Sequence, residues 1–398
     1  MAKLPVEFTD YTRQMMGEEC FGRYLQSFEE EPPVSIRLNP RKTEGMAVVD
    51  GECVPWCKDG WYLSRRPAFT MDPLLHAGCY YVQEAASMFV CHVLQQFVDH
   101  PVSMLDLCAA PGGKSTAAIT TLPASSTLCA NEPIRQRANI LNENVTKWGW
   151  PGCTVTNSYP RDIRASKARF DVILCDVPCS GEGMFRKDES TIREWSPQNV
   201  EKCWQLQRSI VTDIWPCLTD GGLLIYSTCT FNTKENEENI QWMLSEFDAE
   251  VLTVDVAPEW HITGSLLKGF NLPVYRFIPG ISRGEGLFMC VLRKAGDMTQ
   301  KGQSLLCKTK RTTEKDQSLL CDQPQADLSY LQAMSYLRGE ALHLPEGTPR
   351  GEVEVCFLGH PLGRVKNIGT RANNLYPKEW RVKTTHIPNI YEPILKQL

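Results

Sequence analysis

Three short segments carry residue types that could do chemistry together. Asp106-Leu-Cys-Ala-Ala-Pro-Gly-Gly-Lys-Ser115 is glycine-rich and ends on a lysine. Asp176-Val-Pro-Cys-Ser-Gly-Glu-Gly183 sets a carboxylate, Asp176, just ahead of a thiol, Cys179. Tyr226-Ser-Thr-Cys-Thr-Phe-Asn232 adds a second thiol, Cys229. Two thiols and a carboxylate beside a methyl donor point to methylation at carbon 5 of a pyrimidine. That ring carbon is too weakly nucleophilic by itself. A thiolate adding to C6 makes an enamine, C5 takes the methyl group, a base removes the C5 proton, and the thiol leaves. A free cysteine has a pKa of about 8.5, so its site must activate it. A carboxyl group near N3 helps by hydrogen bonding as charge develops on the ring. The base must also leave its stack to be reached. For a cysteine inside a strand, such as Cys175, inert packing is the plainer reading. Cys179 and Cys229 instead fall in Gly/Ser/Pro-punctuated loops after buried strands, where α/β sheets bind ligands.

The loop Cys108, Ala109, Ala110, Pro111, Gly112, Gly113, Lys114 admits three ligands. A dinucleotide wants G-x-G-x-x-G, which is absent. A nucleoside triphosphate wants G-x-x-x-x-G-K-[ST]; Gly113-Lys114-Ser115 matches its tail, but Cys108 stands where the first glycine belongs. S-adenosylmethionine wants a glycine-rich first turn and an acidic residue ending the next strand. Glu132, closing Leu128-Cys-Ala-Asn-Glu132, is in that place.

These segments need a scaffold that brings strand ends together. From about residue 102 short apolar strands (102–107, 126–130, 170–174, 222–226) alternate with helical patterns (114–121, 134–147, 198–218, 236–247). That alternation predicts a doubly wound, mostly parallel sheet covered on both faces. Gly286–Arg293 reads as a late strand at an antiparallel edge. Before this region, residues 1–30 read as helical, Val34–Leu38 as a strand and Glu84–Phe97 as a helix. After it, 296–326 is polar and carries a small duplication, Gln303–Cys307 and Gln317–Cys321, which reads as a linker. Ala326–Leu342 reads as a helix, and Val353–Leu358, Val365–Ile368 and Trp380–Val382 as strands of a small β module. The expected domains are 1–100, an N-terminal α+β region; 101–295, the catalytic α/β domain; 296–325, a linker; and 326–398, a β-rich end.

Composition narrows the partners. Forty-two Lys and Arg against 47 Asp and Glu give a net charge of −5, which excludes a basic coat that grips any nucleic acid. Between Arg364 and Lys383, however, six basic residues face one acid, a local +5, with Asn373, Asn374 and Tyr376 interleaved. That stretch reads as a phosphate-contacting edge. Seventeen cysteines with no C-x-x-C suggest reduced thiols in a cytoplasmic protein, with no metal site expected. No signal peptide and no membrane span are expected.

At Asp106–Ser115, Asp176–Gly183 and Ser227–Asn232 the chain resembles motifs I, IV and VI of the Sun/Nop family of RNA (cytosine-5)-methyltransferases. Ser35–Asn39, Tyr81–Glu84 and Gly284–Phe288 match the family as well. The tail Leu362–Asn367 with Asn374–Pro377 is similar to the PUA-like end of the bacterial RsmF-type enzymes, which act on 16S ribosomal RNA. The resemblance implies a Rossmann-like S-adenosylmethionine-dependent methyltransferase domain between an N-terminal RNA-binding region and a C-terminal PUA-like one. It implies that Cys229 attacks C6, that Cys179 assists breakdown of the adduct, and that Asp176 contacts the cytosine with Lys114 beside it. Cys108–Lys114, Glu132 and Asp176 would line the methyl donor's site. The reverse assignment of the two cysteines is the mechanistic alternative. One departure stands out: the family's motif III aspartate is replaced by Tyr159, which could stack on the adenine or donate to it, with Asp162 nearby as an alternative acid. A monomer acting on ribosomal RNA or the small subunit is expected. The alternatives are transfer RNA as substrate, or an assembly factor with a vestigial cofactor site.

Overall fold

The computed structural model describes residues 4–296, 324–384 and 386–398. The 303–307 and 317–321 duplication and almost all of the expected linker lie outside them. At the centre is an eight-stranded sheet. Its strands are β6 (Ser103–Asp106), β7 (Thr127–Asn131), β8 (Cys153–Thr156), β9 (Phe170–Asp176), β10 (Leu218–Thr228), β11 (Ala249–Val251), β12 (Tyr275–Phe277) and β13 (Leu287–Lys294). The order is β11-β13-β10-β9-β6-β7-β8, with β12 also on β13. From β8 to β10 every pairing is parallel. Apolar runs such as Val172–Cys175 are buried on both faces, as a covered parallel sheet requires. The covering helices include α4 (Phe89–Phe97), α5 (Gly113–Thr121), α6 (Arg135–Trp148), α7 (Pro160–Ala165), α9 (Pro197–Ile214) and α10 (Glu237–Glu246).

Chain order reverses between β6 and β9, so a crevice opens at the carboxyl ends of these two strands. The expected strand at 286–293 is present and antiparallel, but it is not an edge: β10 lies on one side and β11 and β12 on the other. Its residues Leu287–Leu292 are wholly apolar and buried, which an edge would not allow.

Before the central sheet come helices α1 (Val6–Met16) and α2 (Glu18–Gln26). A four-stranded antiparallel sheet follows, from β1 (Val34–Leu38), β3 (Gly51–Val54), β4 (Cys57–Leu63) and β5 (Tyr80–Val82). The two helices pack onto the 185–195 segment. The Phe8 ring meets Phe185 edge-on at 4.9 Å and Trp195 at 5.5 Å, and Tyr24 meets Phe231 at 5.3 Å. After the central sheet, β14 (Gln325–Asp327), β15 (Gly351–Phe357), β16 (His360–Asn367) and β17 (Ala372–Asn374) form a third sheet. The helix expected over 326–342 is shorter, Tyr330–Leu337, because Ser329 caps it and Gln325–Asp327 pairs with β15 instead. Trp380–Val382 is not a strand: Lys378–Trp380 is a 3₁₀ turn entered from Pro377.

The first and third sheets are fastened together. β18 (Leu395–Gln397) pairs with β2 (Met46–Val48), and one core holds Ile36, Leu74 and Tyr80 from one end of the chain with Tyr336, Val353 and Val365 from the other.

Candidate active site

Asp176 is the last residue of β9, and the parallel register sets Ser227 of β10 directly beside it. The Ser227 hydroxyl donates to Asp176 Oδ1 at 2.7 Å, and Lys114 Nζ donates to Oδ2 at 2.8 Å. Both carboxylate oxygens are therefore oriented before any substrate arrives. Burial pulls the Lys114 ammonium down, but Asp176, with Cys229 and Asp106 close by, carries it above its ordinary value. It stays charged.

One strand end further on, the two thiols meet. Cys179 Sγ and Cys229 Sγ are 3.1 Å apart, and the Cys229 backbone N–H donates to Cys179 Sγ at 3.3 Å. Both residues are half-buried. The Cys179 thiol is held well above its ordinary pKa by its hydrogen bond to Cys229 and then by burial. Gly183 N donates to the Cys229 carbonyl at 2.8 Å, which locks the two loops in register. Gly183 and Gly286 are in backbone contact there: a Cβ on Gly183 would meet Gly286 Cα at 2.6 Å and the Cys229 carbonyl at 2.9 Å.

Behind the thiols lies a buried polar cluster that sequence reasoning missed. Glu235 accepts from Ser180 N at 3.1 Å, Asn232 Nδ2 at 2.8 Å and Gln207 Nε2 at 2.7 Å. Gln207 also donates to the Pro178 carbonyl, and Glu182 accepts from Phe231 N and Asn232 N. Glu235 thus ties the Cys179 loop to the Cys229 loop. Burial pushes its carboxyl up to about 7. The signal available in the sequence was the acid-rich run Glu235-Asn-Glu237 just after the second cysteine loop. Isolated from its partners, that run reads as a solvated helix start.

The glycine-rich loop joins β6 to α5. Gly112 has φ +115°, a conformation that L side chains resist, and a Cβ on it would press Leu141 Cδ1 at 3.2 Å. Asp106, wholly buried, accepts from Ser115 Oγ at 2.6 Å, while its Oδ1 has no hydrogen-bond donor. Burial raises its carboxyl to about 7. Glu132 follows β7, takes Ile134 N on Oε1 at 3.0 Å, and is buried. Its Oε2 has no hydrogen-bond donor, although Arg137 Nη1 stands 3.3 Å away as an ion pair. Burial raises the Cys108 thiol. Arg37 of β1 is buried under α5, donating to Thr116 Oγ1 at 2.6 Å and Gln83 Oε1 at 2.8 Å, with Trp148 beneath its guanidinium at 4.5 Å. The first sheet therefore braces this loop.

Tyr159 lies at the protein surface. It is 54% exposed at the start of α7, with Arg161 over its ring at 5.4 Å. Asp162 is spent locally, accepting from Tyr159 N at 3.3 Å. The preceding residues are tied to the Glu132 end of β7, Asn157 Nδ2 donating to the Glu132 carbonyl and Ser158 N to Asn131 Oδ1. Cys179 and Cys229 are both free thiols, and no cluster of three metal-ligating side chains occurs among the described residues. No helix among them is long and apolar enough to cross a membrane.

Comparison with known proteins bears on this arrangement. Residues 94–293 match the family model of the 16S rRNA methyltransferase RsmB/F. Residues 4–85 match the N-terminal domain of 16S rRNA methyltransferase RsmF, and 323–382 the methyltransferase RsmF PUA domain. Ribosomal RNA small subunit methyltransferase F of Pectobacterium atrosepticum is 32% identical over 315 residues, 75% of this chain. The chain spans 64% of that relative's length. The Erwinia tasmaniensis protein of the same name is 26% identical, covering 94% of this chain and 96% of its own. Among solved structures, a methyltransferase homolog from Pyrococcus horikoshii superposes with a TM-score of 0.59 at 26% identity, over 73% of this chain and all of that one. NSun6 from the same organism, solved with SFG, superposes with a TM-score of 0.60 at 20% identity, over 74% of this chain and 99% of its own. The crevice, the loops at its edge and the two flanking modules therefore have one parentage: the chain belongs to the RsmB/F family of 16S rRNA methyltransferases.

Proposed function

We propose that this protein is an S-adenosylmethionine-dependent RNA (cytosine-5)-methyltransferase whose substrate is 16S ribosomal RNA. The observation that carries the reading is the pair of thiols, Cys179 and Cys229, at 3.1 Å beside the Lys114–Asp176 ion pair. The residues of the glycine-rich crevice fit the methyl donor. Gly112 and Gly113 let the loop pack tightly against Leu141 and Tyr81 as it enters the helix, whose N-terminus can face an anionic group, and Glu132 keeps one buried oxygen without a hydrogen-bond donor, a natural acceptor for a ribose hydroxyl. The donor, when bound, supplies the methyl group as an electrophile.

This chain's own residues do the rest. The Cys229 thiolate adds to C6 of a cytosine lifted out of its stack, the C5=C6 π bond breaks, and its electron pair makes C5 the nucleophile that takes the methyl group. Asp176, fixed by Lys114 and Ser227, meets the polar edge of the ring and holds it still while charge builds there. Once C5 is methylated, a base takes its remaining proton, the C5–H electron pair re-forms the C5=C6 bond, and the Cys229–C6 bond breaks with its electrons on the Cys229 sulfur. Cys179 stands at the sulfur of that bond and assists its breakage. Its raised pKa keeps it protonated, so it does not compete as the first nucleophile.

Transfer of labelled methyl from S-adenosylmethionine to 16S ribosomal RNA and to small subunits tests the reading. Label on cytosine C5 that vanishes in Cys229→Ala is expected. Cys179→Ala should accumulate RNA covalently bound through Cys229, seen as a shifted band on a denaturing gel. Normal turnover by Cys179→Ala without an adduct would overturn the division of roles.

A further inference from the structure

Two cavities of about 290 Å³ adjoin along a seam where the N-terminal region, α6 and the C-terminal end meet. They share His76, Glu143 and Lys147 in their walls. One is closed by Tyr81 and Trp148, the other by Trp380, Arg381 and Lys383. We infer that this seam holds an unpaired nucleotide of the substrate RNA, its base against Trp380 and its phosphate on Lys383 and Arg381. The inference rests on the RNA-methyltransferase reading and adds a second contact to it, outside the reaction crevice.

Charge, shape and position each support it. Lys147, Arg381 and Lys383 face one carboxylate, Glu143, a local 3 − 1 = +2 on a chain of net −5. Glu143 already binds Lys147 at 2.5 Å, while Arg381 and Lys383 have no ion-pair partner among the described residues. His76 adds no charge, since burial and then Lys147 bring its pKa down to about 4. Its Nδ1 has no hydrogen-bond partner. Lys147 Nζ sits 5.4 Å from the centre of the Trp380 ring, so the indole is held beside a cation, the platform on which single-stranded bases stack. A space of this size suits one base and its sugar; it is too small for a helix or a duplex groove. The seam also runs on from the basic 364–383 stretch toward the methyl-donor loop. Asn144, in its wall, donates to the Pro111 carbonyl at 2.8 Å. An RNA strand leaving the catalytic crevice could be gripped here with its register fixed by a single base.

The test is fluorescence anisotropy of the full-length protein with a short mixed-sequence single-stranded RNA and with the corresponding duplex, at low and physiological salt. Trp380→Ala is expected to weaken single-strand binding about fivefold or more, with duplex binding little changed and most of the loss restored by Trp380→Phe. Lys383→Glu should weaken binding and lower the salt slope by about one or more. Affinity for S-adenosylmethionine should be unchanged in all three. Because Trp380 packs edge-on to Tyr376 at 6.0 Å, its truncation could loosen the fold; the exposed Lys383 then decides. Wild-type affinity in Lys383→Glu, or equal loss for duplex and single strand in Trp380→Ala, overturns the inference. Wild type that binds the single strand in this manner yet methylates no RNA would leave the seam standing and sink the catalytic reading.

Discussion

Asp106 and Glu235 are carboxyls buried so fully that each reaches about 7, one beneath the glycine-rich loop and one beneath the thiols. Their effect on stability has a definite sign. Between about pH 4 and 7 the folded protein holds protons that the unfolded chain has released, so stability falls as pH rises through that window and levels off above it. For Asp106, ringed by Ser115, Asp176, Lys114 and Glu132, the loss is about 4 kcal/mol at most. Denaturant midpoints measured from pH 4.5 to 8 should therefore decline, and Asp106→Asn should flatten the decline; an unchanged slope would show that the carboxyl is not the source. Glu235→Gln is a different experiment. All three groups meeting Glu235 are N–H donors, so an amide must turn one of its own donors toward another. A cost of about 1–3 kcal/mol is expected at pH 8, with kcat reduced and the KM for S-adenosylmethionine nearly unchanged. The cysteines, Asp176 and Lys114 were legible in the sequence because their chemistry is rare and their loops are punctuated. Glu235, Gln207 and Ser227 were not, because a polar residue becomes informative only when its partner is known, and these partners come from other strands and helices.

Elements were legible where they are apolar and buried. β6, β7, β9 and β10 and the helices between them fall close to where periodicity sets them. The strands that escaped bury little of themselves: Gly51–Val54 is mostly exposed, and Cys153–Thr156 is only partly buried along its whole length, so neither shows an apolar run. At this scale the contact between Gly183 and Gly286 is the sharpest point to probe, since two loops from different strands touch backbone to backbone there. Gly183→Ala should force them apart, lowering kcat by more than tenfold while S-adenosylmethionine affinity changes little. Calorimetric binding set beside single-turnover rates separates the two effects. Gly112→Ala should do the opposite, weakening S-adenosylmethionine binding first, because its strain of about 1–2 kcal/mol falls on the left-handed turn of the glycine-rich loop, the proposed methyl-donor site. Equal kcat and binding losses in both variants would mean general loosening.

Across the whole molecule, the surprise for a sequence reader is that the two ends share a core. Nothing in a linear scan pairs Ile36 with Val353 or β2 with β18, because contacts between distant segments leave no periodic trace. Removing 326–398 should therefore not subtract RNA binding alone. It would bare Ile36, Leu74 and Tyr80, and through Arg37 it would loosen the helix that follows the glycine-rich loop. Such a truncation is expected to lower the melting temperature and to weaken both ligands together, measurable by thermal scanning with and without S-adenosylmethionine; loss of RNA affinity alone would show the core to be separable. The same clasp has a consequence in time. Residues 46–48 wait for residues 395–397, and at about 5–20 residues per second the ribosome needs roughly 20–70 s to deliver them. For that interval a nascent edge strand has no neighbour, so the youngest molecules of this protein are the ones most exposed to chaperones and to one another.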